Sequence, residues 1–237
     1  MKLWYTQLGY VHNPFTIKPG FFDDEVIGYD FEIDTLINWL SQENLCFLQA
    51  EYGLGKSTIL KFLVNELKGK FRIAHISRNR SDRSFNYDKL LVDVNKGFGK
   101  LFGKKAKKVI LIIDETEKLN EKDCEHIDNL FSAGYLHSVL FMDASFAKTG
   151  FSSEVKKKIG KNILKLNPLP GEAAVELVRS RLERHEELIS DELIKKVFIE
   201  SNKNTRFFLL NMEDVVRNAL EANRKTVSQE DLDMLFK

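Results

Sequence analysis

Two stretches of this 237-residue chain carry residue types at spacings that can do chemistry. The first is "AEYGLGKST", residues 50–58, which follows the apolar run "LCFLQ" and precedes "ILKFLVNEL". It fits the phosphate-loop pattern in its relaxed form, with Ala50 where the strict pattern has glycine. Such a loop needs small residues because its backbone amides must close on phosphate oxygens without side-chain obstruction. The cradle would run through Ala50, Glu51, Tyr52, Gly53, Leu54 and Gly55 to Lys56, Ser57 and Thr58. Lys56 would reach β- and γ-phosphates, Ser57 would place its hydroxyl on magnesium, and the following helix would present its positive end to the anion. The plain alternative is a glycine-bearing turn, but the strand before and helix after meet the context the motif requires.

The second stretch, "VILIIDETEKL", is an apolar strand ending in Asp114 and Glu115. An aspartate at a strand tip can hold a magnesium shell opposite the serine. The adjacent glutamate can orient and polarise a water, as nucleotide hydrolysis needs. Alone, the pair reads equally well as an acidic strand end; beside the loop it reads as the second half of a site.

The elements that must position these residues follow from the hydrophobic pattern. "DDEVIGYDFEIDTLINWLSQ" reads as a helix with Ile33, Leu36, Ile37 and Leu40 on one face. "LCFLQA", "FRIAHIS", "KKVILIIDE", "HSVLFMDAS" and "KNILKL" read as strands, and the continuous apolar runs suit strands covered on both faces. "KSTILKFLVNELKG", "YDKLLVDVNKGFGKLF" and "EKDCEHIDNLFSAGY" read as helices between them. Alternation of this kind predicts a parallel, doubly wound α/β sheet of about five strands. After "NPLPG" the pattern turns helical, through "GEAAVELVRSRLERHEE", "SDELIKKVFIESN" and "TRFFLLNMEDVVRNALEAN" to "SQEDLDMLF", capped at Ser228. The predicted organisation is an aromatic N-terminal arm (1–22), an α/β body (23–168) and a small helical lid (169–237). No internal repeat or low-complexity tract interrupts it.

Composition bounds the remaining classes. Apolar residues make up 43% of the chain, which suits a globular protein. Charged residues make up 30% with a net charge of +1, so nucleic-acid binding would need a local patch. Two cysteines, Cys46 and Cys124, make neither a disulfide framework nor a metal pattern, and a reducing, cytoplasmic setting is expected. The N-terminus lacks a signal-peptide core, and the apolar runs fall short of the roughly 20 residues that span a bilayer.

On "AEYGLGKST", "VILIIDETEKL", "LKLNPLPGEAAVELVRSRL" and "NKNTRFFLLNMEDVV", the chain resembles the AAA+ ATPases. It is similar to the branch holding origin-recognition-type initiators and ExeA/TniB-like ATPases, over residues 24–237. The first two motifs belong to phosphate-loop ATPases generally; the last two favour AAA+. The resemblance implies ATP and Mg2+ held between body and lid. It implies an adenine pocket lined by Ile27, Gly28 and Tyr29, with Tyr29 where an arginine is common. It also implies a polar sensor near Ser145, with Asp143 close by, and a lid arginine at Arg206 reaching the γ-phosphate. A polar residue restraining Glu115 would fall near Ser77 or Asn79.

One departure stands out. These ATPases commonly complete the site with an arginine from a neighbouring subunit, and "GFSSEVKKKIGKNILKL" has none. Lys156, Lys157 or Lys158 would be a point charge without the planar fork of arginine. Arg78, Arg80 or Arg83 could instead face a neighbour. Loss of such a finger slows hydrolysis by orders of magnitude.

Local patches add partners. "KLFGKKAKK" gathers Lys100, Lys104, Lys105, Lys107 and Lys108, which can meet nucleic-acid phosphates or simply solvate a loop. No aromatic is interleaved closely enough among the lysines to suggest base stacking. The arm's Trp4, Tyr5, Tyr10 and Phe15 must be buried, on the protein's own body or on a partner. His126 and His185 read as residues of polar helical faces. A full origin-binding initiator would carry a winged-helix module after the lid; none is visible, so DNA affinity is expected to be weak, salt-sensitive and sequence-tolerant. The expected function is a Mg-dependent ATPase moving its lid and assembling with a partner. An ATP-binding switch or scaffold with negligible hydrolysis is the contrasting expectation. A small-molecule kinase fits less well, because "DETEKL" suits water activation.

Overall fold

The computed structural model of the chain describes residues 3–18, 26–77 and 108–236. The predicted helix over 87–102, the basic residues Lys100, Lys104, Lys105 and Lys107, and Arg78, Asn79, Arg80 and Arg83 lie outside the described residues.

The described residues fall into two compact units. One takes those of Phe31–Tyr52 and Ile59–Leu166; the other takes those of Met1–Asp30, Gly53–Thr58 and Asn167–Lys237. In the first, β1 (Leu45–Gln49), β2 (Arg72–Ser77), β3 (Val109–Asp114), β4 (Ser138–Asp143) and β5 (Ile163–Lys165) form a sheet of order β2-β3-β4-β1-β5. Every pairing is parallel, as doubly wound topology demands. Side chains alternate between the two faces. Leu45, Phe47, Leu111, Ile113, Val139 and Phe141 point to one face. There they meet Cys124 and Ile127 of α3 (Glu121–Ser132), and Val155 and Ile159 of α4 (Ser153–Ile159). Cys46, Leu48, Ile110, Ile112, Leu140 and Met142 are buried on the other. Coverage on both faces is why these strands read as unbroken apolar runs.

Three boundaries differ from the sequence pattern. The helix α1 is Asp30–Ser41, where the sequence pattern began it at residue 23. Gly28 adopts φ 76°, a left-handed turn that a continuing α-helix excludes. The helix predicted over 171–187 stops sooner: α5 is Gly171–Leu182, and Glu183 turns out of it at φ 45°. His185 therefore lies past the helix and not on its polar face. The third is α4, a seven-residue helix that its lysine-rich sequence disguised; Ser152 caps it, its side chain accepting from the Val155 amide.

In the other unit α5, α6 (Asp191–Glu200), α7 (Thr205–Glu221) and α8 (Gln229–Leu235) pack around Val178, Leu182, Ile194, Val197, Phe198, Phe208, Met212 and Val216, all buried. The N-terminal arm belongs to this core. Its 3-10 turn Trp4–Leu8 lays Trp4 against α7, the indole donating to Glu213 at 3.4 Å, and Phe15 is fully buried and stacked on Trp4. Tyr10 donates to the Leu182 carbonyl, Arg181 donates to the Pro14 and Thr16 carbonyls, and a His185 ring nitrogen lies 2.8 Å from the Leu8 carbonyl.

Among the described residues no helix is long and apolar enough to cross a membrane. Cys46 and Cys124 are both free and buried.

Candidate functional site

In the sheet unit the acidic pair stands where parallel strands end. β3 and β4 run in register, Asp114 beside Met142, and β1 ends with Gln49 beside Asp143. Ala50 follows, buried, its amide donating to the Asp143 carbonyl at 2.8 Å. Ala50 does not take a positive φ, so the strict pattern's glycine is not needed there.

Beyond Asp114 the chain turns sharply. Glu115 takes φ 59° and ψ 52°, the left-handed region that a non-glycine residue rarely occupies. Its amide donates to Asp114 Oδ1 at 2.9 Å, and its side chain is exposed. The turn is clamped by a residue that the sequence pattern placed only near the sensor position. The buried carboxylate of Asp143 accepts from the Glu117 amide at 2.6 Å, from the Ala144 amide at 2.6 Å and from the Thr116 hydroxyl at 3.4 Å. Ser145, the expected polar sensor, is half-buried and opens the 3-10 turn Phe146–Lys148 without a side-chain cap. Gln49 accepts from the Phe146 amide at 3.1 Å, so the sheet's C-terminal edge is tied together at β1, β3 and β4.

At the opposite, N-terminal edge of this sheet, Lys108 is ion-paired with Glu43, both more than half exposed. That pair, with His137 beside it, holds the Glu43 carboxyl below its ordinary value. Lys108 is thus separated by the length of β3 from Asp114. In α4, Lys158 is not free to reach outward: its ammonium bonds both Asp128 oxygens at 2.7 Å and the Ser132 hydroxyl at 3.0 Å. Lys156 and Lys157 are exposed.

The other unit gathers Gly53, Leu54, Gly55, Lys56, Ser57 and Thr58 with Ile27, Gly28, Tyr29 and Arg206. Gly53 and Gly55 take φ 87° and 92°, which side-chain-bearing residues rarely adopt. The Gly55 carbonyl accepts from Thr58, and α2 (Lys56–Leu67) begins at the lysine. Tyr29 is buried; its hydroxyl donates to the Asn167 carbonyl at 2.9 Å, and its ring edge lies 3.9 Å from where a Gly55 Cβ would stand. Gly28 is closed in by Ala173 and Leu169, each 2.8 Å from its would-be Cβ.

Arg206 lies in the first turn of α7, half-buried, and its backbone amide donates to the Gly53 carbonyl at 3.1 Å. Asn204, to which the sequence pattern assigned no role, caps α7 and stands over Gly53 as well: its side-chain oxygen is 2.2 Å from the would-be Gly53 Cβ. A glycine is required there for space as much as for φ.

Magnesium takes hard oxygen donors, usually one or two from protein with the rest from phosphate and water, and the Ser57 hydroxyl in one unit and the Asp114 carboxylate in the other are donors of that kind. Among the described residues no group of three or more His, Cys, Asp or Glu side chains gathers to hold a metal by itself.

No protein-family model and no curated protein sequence matches the chain. Solved structures do. Cdc6p from Pyrobaculum aerophilum superposes with a TM-score of 0.69 at 13% identity, over 92% of this chain and 68% of that one. The Aeropyrum pernix ORC1 protein, solved in complex with DNA, gives 0.68 at 12% identity, over 91% and 66%. Thermotoga maritima RuvB, a Holliday junction branch migration motor, gives 0.65 at 15% identity, over 88% and 68%. The chain spans about two thirds of the length of these proteins. A parallel sheet of order β2-β3-β4-β1-β5, followed by an all-helical unit and superposing on these structures, is the fold of the AAA+ ATPases.

Proposed function

We propose that this protein binds ATP with magnesium through residues 50–58 and hydrolyses it slowly, its helical unit serving as a lid that responds to the nucleotide. The observation that carries this reading is the loop itself. Two glycines of positive φ stand between a buried parallel strand and the first turn of α2, with Lys56 and Ser57 opening that helix.

In this reading Lys56 neutralises charge on the β- and γ-phosphates, and Ser57 and Asp114 hold the magnesium. Held there, magnesium would supply Lewis-acid polarisation of the phosphate oxygens. Glu115 orients the attacking water, held by the turn that Asp143 clamps. Ile27, Gly28 and Tyr29 line the base, with the Tyr29 hydroxyl already committed to Asn167 so that its ring is what it offers. Arg206 carries the state of the γ-phosphate into α7, and Ser145 reports it to β4.

The stretch 151–166 favours the slow end of the range, and a nucleotide-held switch as second reading. It has no arginine, and Lys158 is bound to Asp128. The protein would then depend on a partner, or on self-association, to complete the site. Relatives in fold that were solved on DNA make duplex DNA the first partner to try, through phosphate contacts at Lys100, Lys104, Lys105, Lys107 and Lys108. A cytoplasmic protein is the setting this reading requires.

Steady-state phosphate release, with and without duplex DNA, tests it. Wild type should release phosphate above the background of Lys56→Ala, and Glu115→Gln should bind ATP without releasing phosphate. Release from wild type no faster than from Lys56→Ala under both conditions would leave the switch reading in place of the ATPase.

A further inference from the structure

The start of α7 touches the loop through its backbone and cap, independently of the Arg206 side chain. Gly53 has φ 87°, and the space beside its Cα is filled by the Asn204 carboxamide, whose Oδ1, Nδ2 and Cγ lie 2.2, 2.6 and 2.7 Å from the would-be Cβ. The same Oδ1 accepts from the Arg206 amide at 3.1 Å and from the Phe207 amide at 3.2 Å, capping α7. The Arg206 amide is shared, since it also donates to the Gly53 carbonyl at 3.1 Å. One proton thus joins helix, cap and loop. The Arg206 and Phe207 amides are committed in this way to cap and loop.

The consequence lies in the 53–54 peptide. A trans peptide is planar, with its carbonyl and its N–H on opposite sides. Turning the Gly53 carbonyl to the Arg206 amide directs the Leu54 N–H away from α7, and Leu54 is one of the amides that line the loop. The start of α7 therefore sets the plane of a peptide in the cradle. Residues 53–58 group with the helices and not with the sheet, in keeping with this link.

We propose that Asn204 is a positioning residue of the phosphate loop: its carboxamide, with the helix start it caps, fixes the 53–54 peptide, so that the loop's fit to phosphate and the position of α7 are one equilibrium. The proposal rests on the reading of residues 50–58 as an ATP site. By linkage, ATP bound at the loop must tighten the first turn of α7 by the same factor that α7 tightens ATP.

Asn204→Ser separates this role from helix capping, because serine caps about as well as asparagine but lacks the carboxamide. Titration calorimetry of Mg-ATP into wild type, Asn204→Ser and Lys56→Ala is read beside their thermal melts, and hydrogen exchange of residues 205–208 is followed in wild type with and without saturating ATP. The expected result is a serine variant that melts close to wild type and binds ATP about tenfold more weakly, or about 1.4 kcal/mol. The wild-type amides of 205–208 should exchange more slowly with ATP. A serine variant with wild-type affinity, or exchange at 205–208 that ATP leaves unchanged, overturns the proposal and leaves the loop reading standing. Wild type that binds no ATP, or Lys56→Ala that binds as wild type does, overturns the loop reading and the proposal together.

Discussion

At the scale of single residues, the acidic turn after β3 depends most on Asp143. Its carboxylate is buried and accepts from two amides and a hydroxyl, holding Glu115 in a left-handed conformation that is costly for a side-chain-bearing residue. Asparagine in its place would turn one acceptor into a donor facing a donor. Asp143→Asn should lower stability by about 1.5–3 kcal/mol in denaturant titration, the range for hydrogen bonds to a charged group. It should reduce phosphate release more than ATP affinity, because what it loosens is Glu115. A variant as stable and as active as wild type would remove Asp143 from the account. The thiols give a second residue-scale expectation. Burial, then Asp123, Glu121 and Glu125, pushes the Cys124 thiol up to about 12, and burial alone raises that of Cys46. Neither should react with a disulfide reagent until the protein is unfolded; rapid labelling of the native chain would contradict their burial.

Elements come next, and the arm is the clearest case. Phe15 is fully buried in the helical unit, so Phe15→Ala should cost about 3–5 kcal/mol of that unit's stability by calorimetry. Tyr10 adds a pH dependence. Its phenol is pushed up to about 12, first by burial and then by Glu183 and Glu187, so the folded state favours the neutral form. The stability this gives is complete below the unfolded value near 10 and is lost as pH rises toward 12. Tyr10→Phe should flatten that alkaline decline; an unchanged decline would show that Tyr10 does not titrate with the arm's docking. The strands were legible in the sequence because burial on both faces leaves a run such as "VILIID" no polar break. The helix α4 was not, since seven residues with three lysines resemble a loop, and only Ser152 with Val155 and Ile159 marks it. The start of α1 differs because the apolar face Ile33, Leu36, Ile37 and Leu40 marks no N-terminal limit, and the left-handed turn at Gly28 that precedes the helix is closed in by Ala173 and Leu169, far along the chain. The loop and acidic pair of the candidate site announce themselves locally. The Asp143 clamp and the Asn204 contact join residues distant in sequence, and no local pattern encodes them.

For the whole molecule, ATP and magnesium act in this reading as a shared ligand. At a concentration one hundred times its dissociation constant, ATP should stabilise the protein by about 2.7 kcal/mol, and a chelator should remove most of that gain. DNA affinity should be weak and fall as salt rises, with a slope of about 0.9 per phosphate contacted, and should not depend on sequence. Tight binding to one defined site at physiological salt would contradict this. The most direct test of the central claim, that residues 50–58 hold the nucleotide, is equilibrium dialysis of labelled ATP with magnesium against wild type and Lys56→Ala. The expected result is one ATP per wild-type chain and at least tenfold weaker binding to the variant, or about 1.4 kcal/mol. Equal binding to both proteins, or none to wild type, would contradict it.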